Sequence, residues 1–232
     1  MAATSWPRYT PYPMLSLQTP VNGTEGRAQQ GPADHGDRRI RAALLKTLRS
    51  KGPEHARIVE EMWLPPTQER ADIALINGSL SGYEIKSGRD RLNRLPRQIT
   101  AYDRIFDECA LVVHERHLSN ALMMLPDWWG VHVAASSESN AIHTVRGCAR
   151  NPKISPDAQI RLLWRSELES ALLQLGVGPA LQFTRAELRA AILRFSDPDL
   201  VGQIVREALR HRAMSTARIA TRQVASSAAA GC

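Results

Sequence analysis

Three residues in the middle of the chain have the types and spacing that phosphate chemistry requires: Asp72 in "RADIALI", and Glu84 and Lys86 in "GYEIKS". On a β-strand, side chains alternate between faces, so Glu84 and Lys86 point the same way and Ile85 points the other. If a hairpin brings Asp72 beside Glu84, two carboxylates can share one divalent cation. Magnesium prefers such oxygen ligands and keeps part of its water shell. A metal held there would polarise a phosphate and acidify a water, and Lys86 would steady that water or the developing negative charge. The competing interpretation is an exposed ion pair on a strand. Such a pair contributes ~0–1 kcal/mol, so either partner would be replaceable without unfolding.

The elements that must position these residues can be read from periodicity. "DRRIRAALLKTLRS" carries Ile40, Ala43, Leu44, Leu45 and Leu48 on one helical face, with Asp37 as its N-cap and Gly52–Pro53 as its stop. "RIVEEMWL", "RADIALI" and "YEIKS" read as three strands, with Asn77–Gly78 and Ser81–Gly82 as turn signals. "RLNRLPRQITAYDRIFD" returns to helical period, with Pro96 in its first turn. "CALVVHE" suits a buried central strand, and "HLSNALMMLP" a short helix. "WWGVHVA" and "AIHTVRG" are two further strands, with Trp128 and Trp129 as packing residues. Beyond Arg150 three helices are expected, from "PDAQIRLLWRSELESALLQLG", "TRAELRAAILRFS" with its Thr184–Glu187 capping box, and "DPDLVGQIVREALRHR".

The string "RADIAL…GYEIK", set in helix-strand-strand-strand-helix-strand order over residues 37–115, resembles the core of the PD-(D/E)XK, or restriction-endonuclease-like, nuclease superfamily. Over residues 37–212 the chain is similar to a narrower group of bacterial and phage proteins of that fold. The resemblance implies an α/β fold with an αβββαβ core and mixed sheet, followed by a small helical extension. It implies Mg²⁺-dependent hydrolysis of a DNA phosphodiester, with Mn²⁺ as an alternative metal, in a setting of repair, recombination or phage and mobile-element biology. On that basis Asp72, Glu84 and the Ile85 carbonyl hold the metal, Lys86 is catalytic, and Glu61 assists. Glu60 competes with Glu61 for that last place, and Ala71 stands where the superfamily often has proline. A catalytically silent DNA-binding module of the same fold is the rival. Gln98 and Tyr102 repeat the Gln-x-x-x-Tyr spacing of recombination-type exonucleases. With Arg89, Arg94 and Arg97 they are expected to contact nucleic acid.

Composition bounds the remainder. The chain has 232 residues, 43% of them hydrophobic, a net charge of +7 and a pI of about 9.8. It can bury a core, and its charge suits a polyanionic partner. From Lys86 to Arg97 five cations face one acid, Asp90. Cys109, Cys148 and Cys232 are too widely spaced for a zinc knuckle or a disulfide framework, and His114, His117, His132 and His143 lack metal-ligand spacing. No apolar run approaches the ~20 residues that span a bilayer, and no secretory signal is seen, so a cytoplasmic protein is expected. Residues 1–35 and 214–232 read as tails, 36–150 as the nuclease-like domain and 151–213 as the helical extension. Whether that extension binds DNA, a second copy of the chain or another protein is left open by the sequence.

Overall fold

The computed structural model describes residues 36–51, 56–135, 141–178 and 182–212. The two expected tails lie outside the described residues. Six strands form one mixed sheet in sequential order: β1 (Arg57–Trp63), β2 (Arg70–Ile76), β3 (Leu80–Lys86), β4 (Glu108–His114), β5 (Gly130–Ala134) and β6 (Ile142–Arg146). β1, β2 and β3 run antiparallel to one another in turn, β3–β4 and β4–β5 are parallel, and β6 returns antiparallel. The turn between β2 and β3 uses Gly78 at φ 107, where a residue with a Cβ would be strained.

Helix α1 (Gly36–Lys51) buries Ile40, Leu44 and Leu48 against Ile73, Leu75, Tyr83, Ile85 and Val112 on one face of the sheet. Asp37 lies in its first turn. The other face carries α2 (Leu95–Asp103), α3 (Leu118–Met124), α4 (Pro156–Ile160), α5 (Arg165–Gln174), α6 (Arg185–Phe195) and α7 (198–212). The mixed α/β sheet, the αβββαβ order and the helical extension are as expected.

Two features differ from the expectation. The segment read as one helix over 156–176 is two, α4 and α5, because the chain turns at residues 161–164. Leu162 and Leu163 are both buried in that turn. Secondly, the change of character at Arg150 is not a break in the core. Leu168, Leu188, Ile192, Val201 and Leu209 belong to the same apolar cluster as Ile76, Leu80, Tyr102 and Leu111.

Gly82 is required by packing. A Cβ there would lie 2.5 Å from the Phe106 ring. This close approach seats the end of the α2 segment on β3, with Tyr102 and Phe106 ring centroids 5.0 Å apart. The helix that covers Glu84 is thus held against the strand that carries it.

Candidate active site

The β2–β3 register runs Ile76↔Leu80 to Ile73↔Tyr83, and its next step sets Asp72 opposite Glu84. The main-chain ladder opens at that step. The Asp72 carboxylate takes over, its Oδ2 accepting from the Ile85 N–H at 2.7 Å. Glu84 is 2% exposed and Lys86 is 7% exposed. The Lys86 Nζ donates to Glu84 Oε1 at 2.6 Å. This rules out the competing interpretation of an exposed ion pair: α2 covers it, so the charges are desolvated.

Gln98 and Tyr102, one helical turn apart on α2, both bond to Glu84. Gln98 Nε2 donates to Oε1 at 2.5 Å, and Tyr102 OH donates to Oε2 at 2.7 Å. The Tyr102 hydroxyl also accepts from the Asp72 N–H at 3.3 Å and lies 3.1 Å from the Tyr83 carbonyl. Tyr102 is fully buried and Gln98 is nearly so. The expected role of these two therefore changes. Burial removes them from direct contact with nucleic acid, and they position Glu84 instead.

Arg41 was not singled out by its sequence context. Its guanidinium donates to Asp72 Oδ1 at 2.8 Å and to the Asp72 carbonyl at 2.9 Å. Glu61 Oε1 lies 3.0 Å from the same Arg41 nitrogen that holds Asp72 Oδ1, and Glu60 lies 3.9 Å from the other. Neighbouring residues of a regular strand cannot face one cation. They do so here because Glu61 has left-handed backbone, φ 52, a strain that costs ~1–3 kcal/mol and recurs at functional sites. Of the two acids, Glu61 is the one nearer the site. An arginine among the apolar residues of an amphipathic helix, with acids on the next strand, was the available signal for Arg41.

Burial raises the Glu84 carboxyl to about 7, with the Asp72 charge pushing the same way, and Lys86 and Tyr102 opposing. Burial also raises Asp72, against the pull of the Ile85 N–H, Arg41 and Lys86. Two neighbouring acids with raised values, beside a buried lysine, form the kind of cluster that acid–base and metal chemistry uses.

The donor set suits a hard divalent cation. A carboxylate offers about four lone-pair sites, so the contacts to Asp72 and Glu84 leave acceptor capacity. Gln98 Oε1 is buried beside Glu84 with no hydrogen-bond partner, and its amide NH₂ must face the carboxylate, which only accepts. Among the described residues, no group of three His, Cys, Asp or Glu side chains stands where it could hold a metal. Magnesium sites commonly use one or two carboxylates and complete their shell with water and substrate phosphate.

Around this centre, Arg89, Arg94 and Arg97 are exposed at the entry to α2. Arg94 and Arg97 both reach the buried Glu69, at 3.6 and 3.2 Å, which orients them at the rim. Asp90 turns inward, accepting from the Ser87 N–H and hydroxyl. The histidines take structural places: His132 is buried and bonded to Thr144, and His114 accepts from the Arg116 N–H. Trp129 is fully buried, donating to Asp103 at 2.7 Å, and Lys153 lies over Trp128. Cys109 and Cys148 are free thiols. No helix among the described residues is long and apolar enough to cross a membrane.

A solved structure, the SPO1766 protein of unknown function from Silicibacter pomeroyi, aligns with 64% of this chain and 98% of its own at 17% identity and a TM-score of 0.41. Protein cII of Enterobacteria phage P4 is 31% identical over 146 residues, which is 61% of this chain and 54% of that protein. The chain thus spans about half the length of the curated relative it matches. The sequence profile of Bacteriophage P4 protein cII matches residues 33–228, most of the chain, and the chain belongs to that family.

Proposed function

We propose that the chain is a metal-dependent nuclease that hydrolyses DNA phosphodiesters, of the PD-(D/E)XK type. One observation carries this reading: Asp72, Glu84 and Lys86 converge on an αβββαβ frame, with Glu84 gripped from α2 by Gln98 and Tyr102. Asp72, Glu84 and the Ile85 carbonyl would hold Mg²⁺ or Mn²⁺, which supplies Lewis-acid polarisation of the phosphate and acidifies a water. Lys86 orients that water and stabilises negative charge as it develops. Gln98 and Tyr102 fix the Glu84 rotamer, and Glu61 assists from the strained bend in β1. Arg89, Arg94 and Arg97 meet the phosphates flanking the cut.

A second reading, the catalytically silent DNA-binding module, is favoured by Arg41. Its guanidinium contacts both Asp72 and Glu61, where a cation is wanted. One experiment separates the two. Labelled linear, nicked, flapped and single-stranded DNAs are incubated with the protein in Mg²⁺, Mn²⁺ or EDTA. The nuclease reading expects metal-dependent cutting, lowered about 10²–10³-fold by Lys86→Ala. Calorimetry should show Mn²⁺ binding retained in that variant. DNA binding without cutting of any substrate establishes the silent module, and wild-type cutting by Lys86→Ala overturns the role of Lys86.

A further inference from the structure

A second feature lies along the edge strand. A cleft of about 300 Å³ runs between β1 and the helical extension, and Glu61 of the acidic site is one of its lining residues. Its walls carry Trp63 and Trp164 and four arginines, Arg57, Arg161, Arg185 and Arg212, against the single carboxylate of Glu61. The tryptophans are 58% and 52% exposed, among the most exposed large apolar side chains described. The arginines are fixed in place. Arg57 donates to the Leu209 carbonyl, Arg185 to the Leu163 carbonyl at 3.1 Å, and Arg161 pairs with Asp157 through Nε and one terminal nitrogen. Arg212 is bound to Glu167 and lies over the Trp164 ring, 4.1 Å from its centroid. Burial disfavours the charge on Arg57, the nearby Arg212 adds to that, and Glu167 opposes it. Arg161 and Arg212 are balanced by Asp157 and Glu167, so the charge the cleft offers to a polyanion comes chiefly from Arg57 and Arg185, which are tied to main-chain carbonyls beside exposed aromatic rings.

We propose that this cleft is a track for single-stranded DNA, which leads an unpaired strand along β1 to the Asp72–Glu84–Lys86 site. The proposal rests on the nuclease reading for its destination, and it names the substrate's form. The exposed parts of the Trp63 and Trp164 rings, the latter with one face taken by Arg212, can stack on bases only when those bases are unstacked and unpaired, as in single strands. Guanidinium groups tied to main-chain carbonyls and carboxylates have few donors left for base edges, so they track the backbone and read no sequence. The helical extension thereby has a role in substrate choice, since Arg161, Trp164, Arg185 and Arg212 all belong to it.

The test is an equilibrium titration of the full chain with fluorescent oligo-dT in EDTA, where no cutting occurs, beside a duplex of equal length and a polyglutamate control. The track expects quenching of wild-type tryptophan emission by unlabelled oligo-dT. It expects Trp63→Ala and Trp164→Ala each to weaken oligo-dT binding about tenfold with an unchanged salt slope, and Trp63→Phe to retain most of the affinity. Arg185→Ala should make the log–log salt slope shallower by about 0.7. Equal affinity for duplex or polyglutamate, absence of quenching, or unchanged binding by both alanine variants overturns it. The two readings fail separately. Oligo-dT bound on the track by a protein that cuts nothing sinks only the nuclease reading, and cutting of duplex by a protein that ignores oligo-dT sinks only the track.

Discussion

Replacing Glu84 by glutamine should make the protein more resistant to alkaline conditions, the reverse of what breaking a buried ion pair ordinarily does. Removing one partner of such a pair typically costs about 3–5 kcal/mol. Here burial outweighs the attraction of Lys86 and lifts the Glu84 carboxyl from its ordinary 4.5 to about 7. A folded-state value above the unfolded one gives stability that is complete below about 4.5 and is lost as pH rises through about 7. At about 1.36 kcal/mol per pH unit, the wild type gives up roughly 3 kcal/mol across that window. Glutamine does not titrate, and the site accepts its amide. The oxygen of the introduced amide can take the bonds from Lys86 and Gln98, and the Tyr102 hydroxyl can turn its proton to the Tyr83 carbonyl and accept from the new NH₂. Urea unfolding in EDTA at pH 4.5, 6 and 8 should show the stability difference moving in favour of Glu84→Gln by about 3 kcal/mol. In thermal melts that corresponds to roughly 6–12 °C for a domain of this size. A difference that is flat with pH, or that moves towards the wild type, refutes the reasoning.

Gly82→Ala would place a methyl 2.5 Å from the Phe106 ring, and overpacking of this kind should destabilise by about 1–3 kcal/mol in denaturant melts. His132 is buried and its value is pushed down from 6.5 to about 4, so its contribution is present above 6.5 and is lost as pH falls through about 4. His132→Gln should therefore lose stability less steeply than wild type between about pH 6.5 and 4, by up to about 3 kcal/mol in urea titrations. Arg206 bonds to the buried Asp107 at 3.0 Å, and Arg206→Ala removes the cation paired with that carboxylate while the Leu80 N–H still donates to it. A loss of about 3–5 kcal/mol is expected by chemical denaturation.

Much of the frame was legible because its signals are local. Period-2 and period-3.6 runs marked the strands and α1, and Asn77–Gly78 marked the hairpin that sets the β2–β3 register. Strand parity then placed Asp72, Glu84 and Lys86 together. The misreadings share a different origin, in contacts between segments far apart in sequence. Nothing near Arg41 announces that it reaches Asp72, 31 residues on. Nothing near Glu69 shows that it lies buried under Arg94 and Arg97. Gln98 and Tyr102 bond to Glu84 rather than face a ligand, because burial of Glu84 beneath α2 is a property of the assembled core. The turn at 161–164 has no local signal, since "RLLW" continues a helical period, while the Gln159 side chain bonds the Ile105 carbonyl, 54 residues away.

The link from Arg57 to the Leu209 carbonyl, 152 residues away in the chain, also imposes an order of birth. As the chain is made, every described residue of the acidic centre, from Arg41 to Tyr102, emerges early. The far wall of the cleft begins at Arg161 and is completed by Leu209 and Arg212, about 110 residues after Tyr102, which at ordinary translation rates is roughly ten seconds. Through that interval Arg57 lacks its Leu209 partner on the edge strand β1. A nascent chain arrested before residue 209 would therefore carry the residues of the centre without the tie that fixes Arg57 against the helical extension.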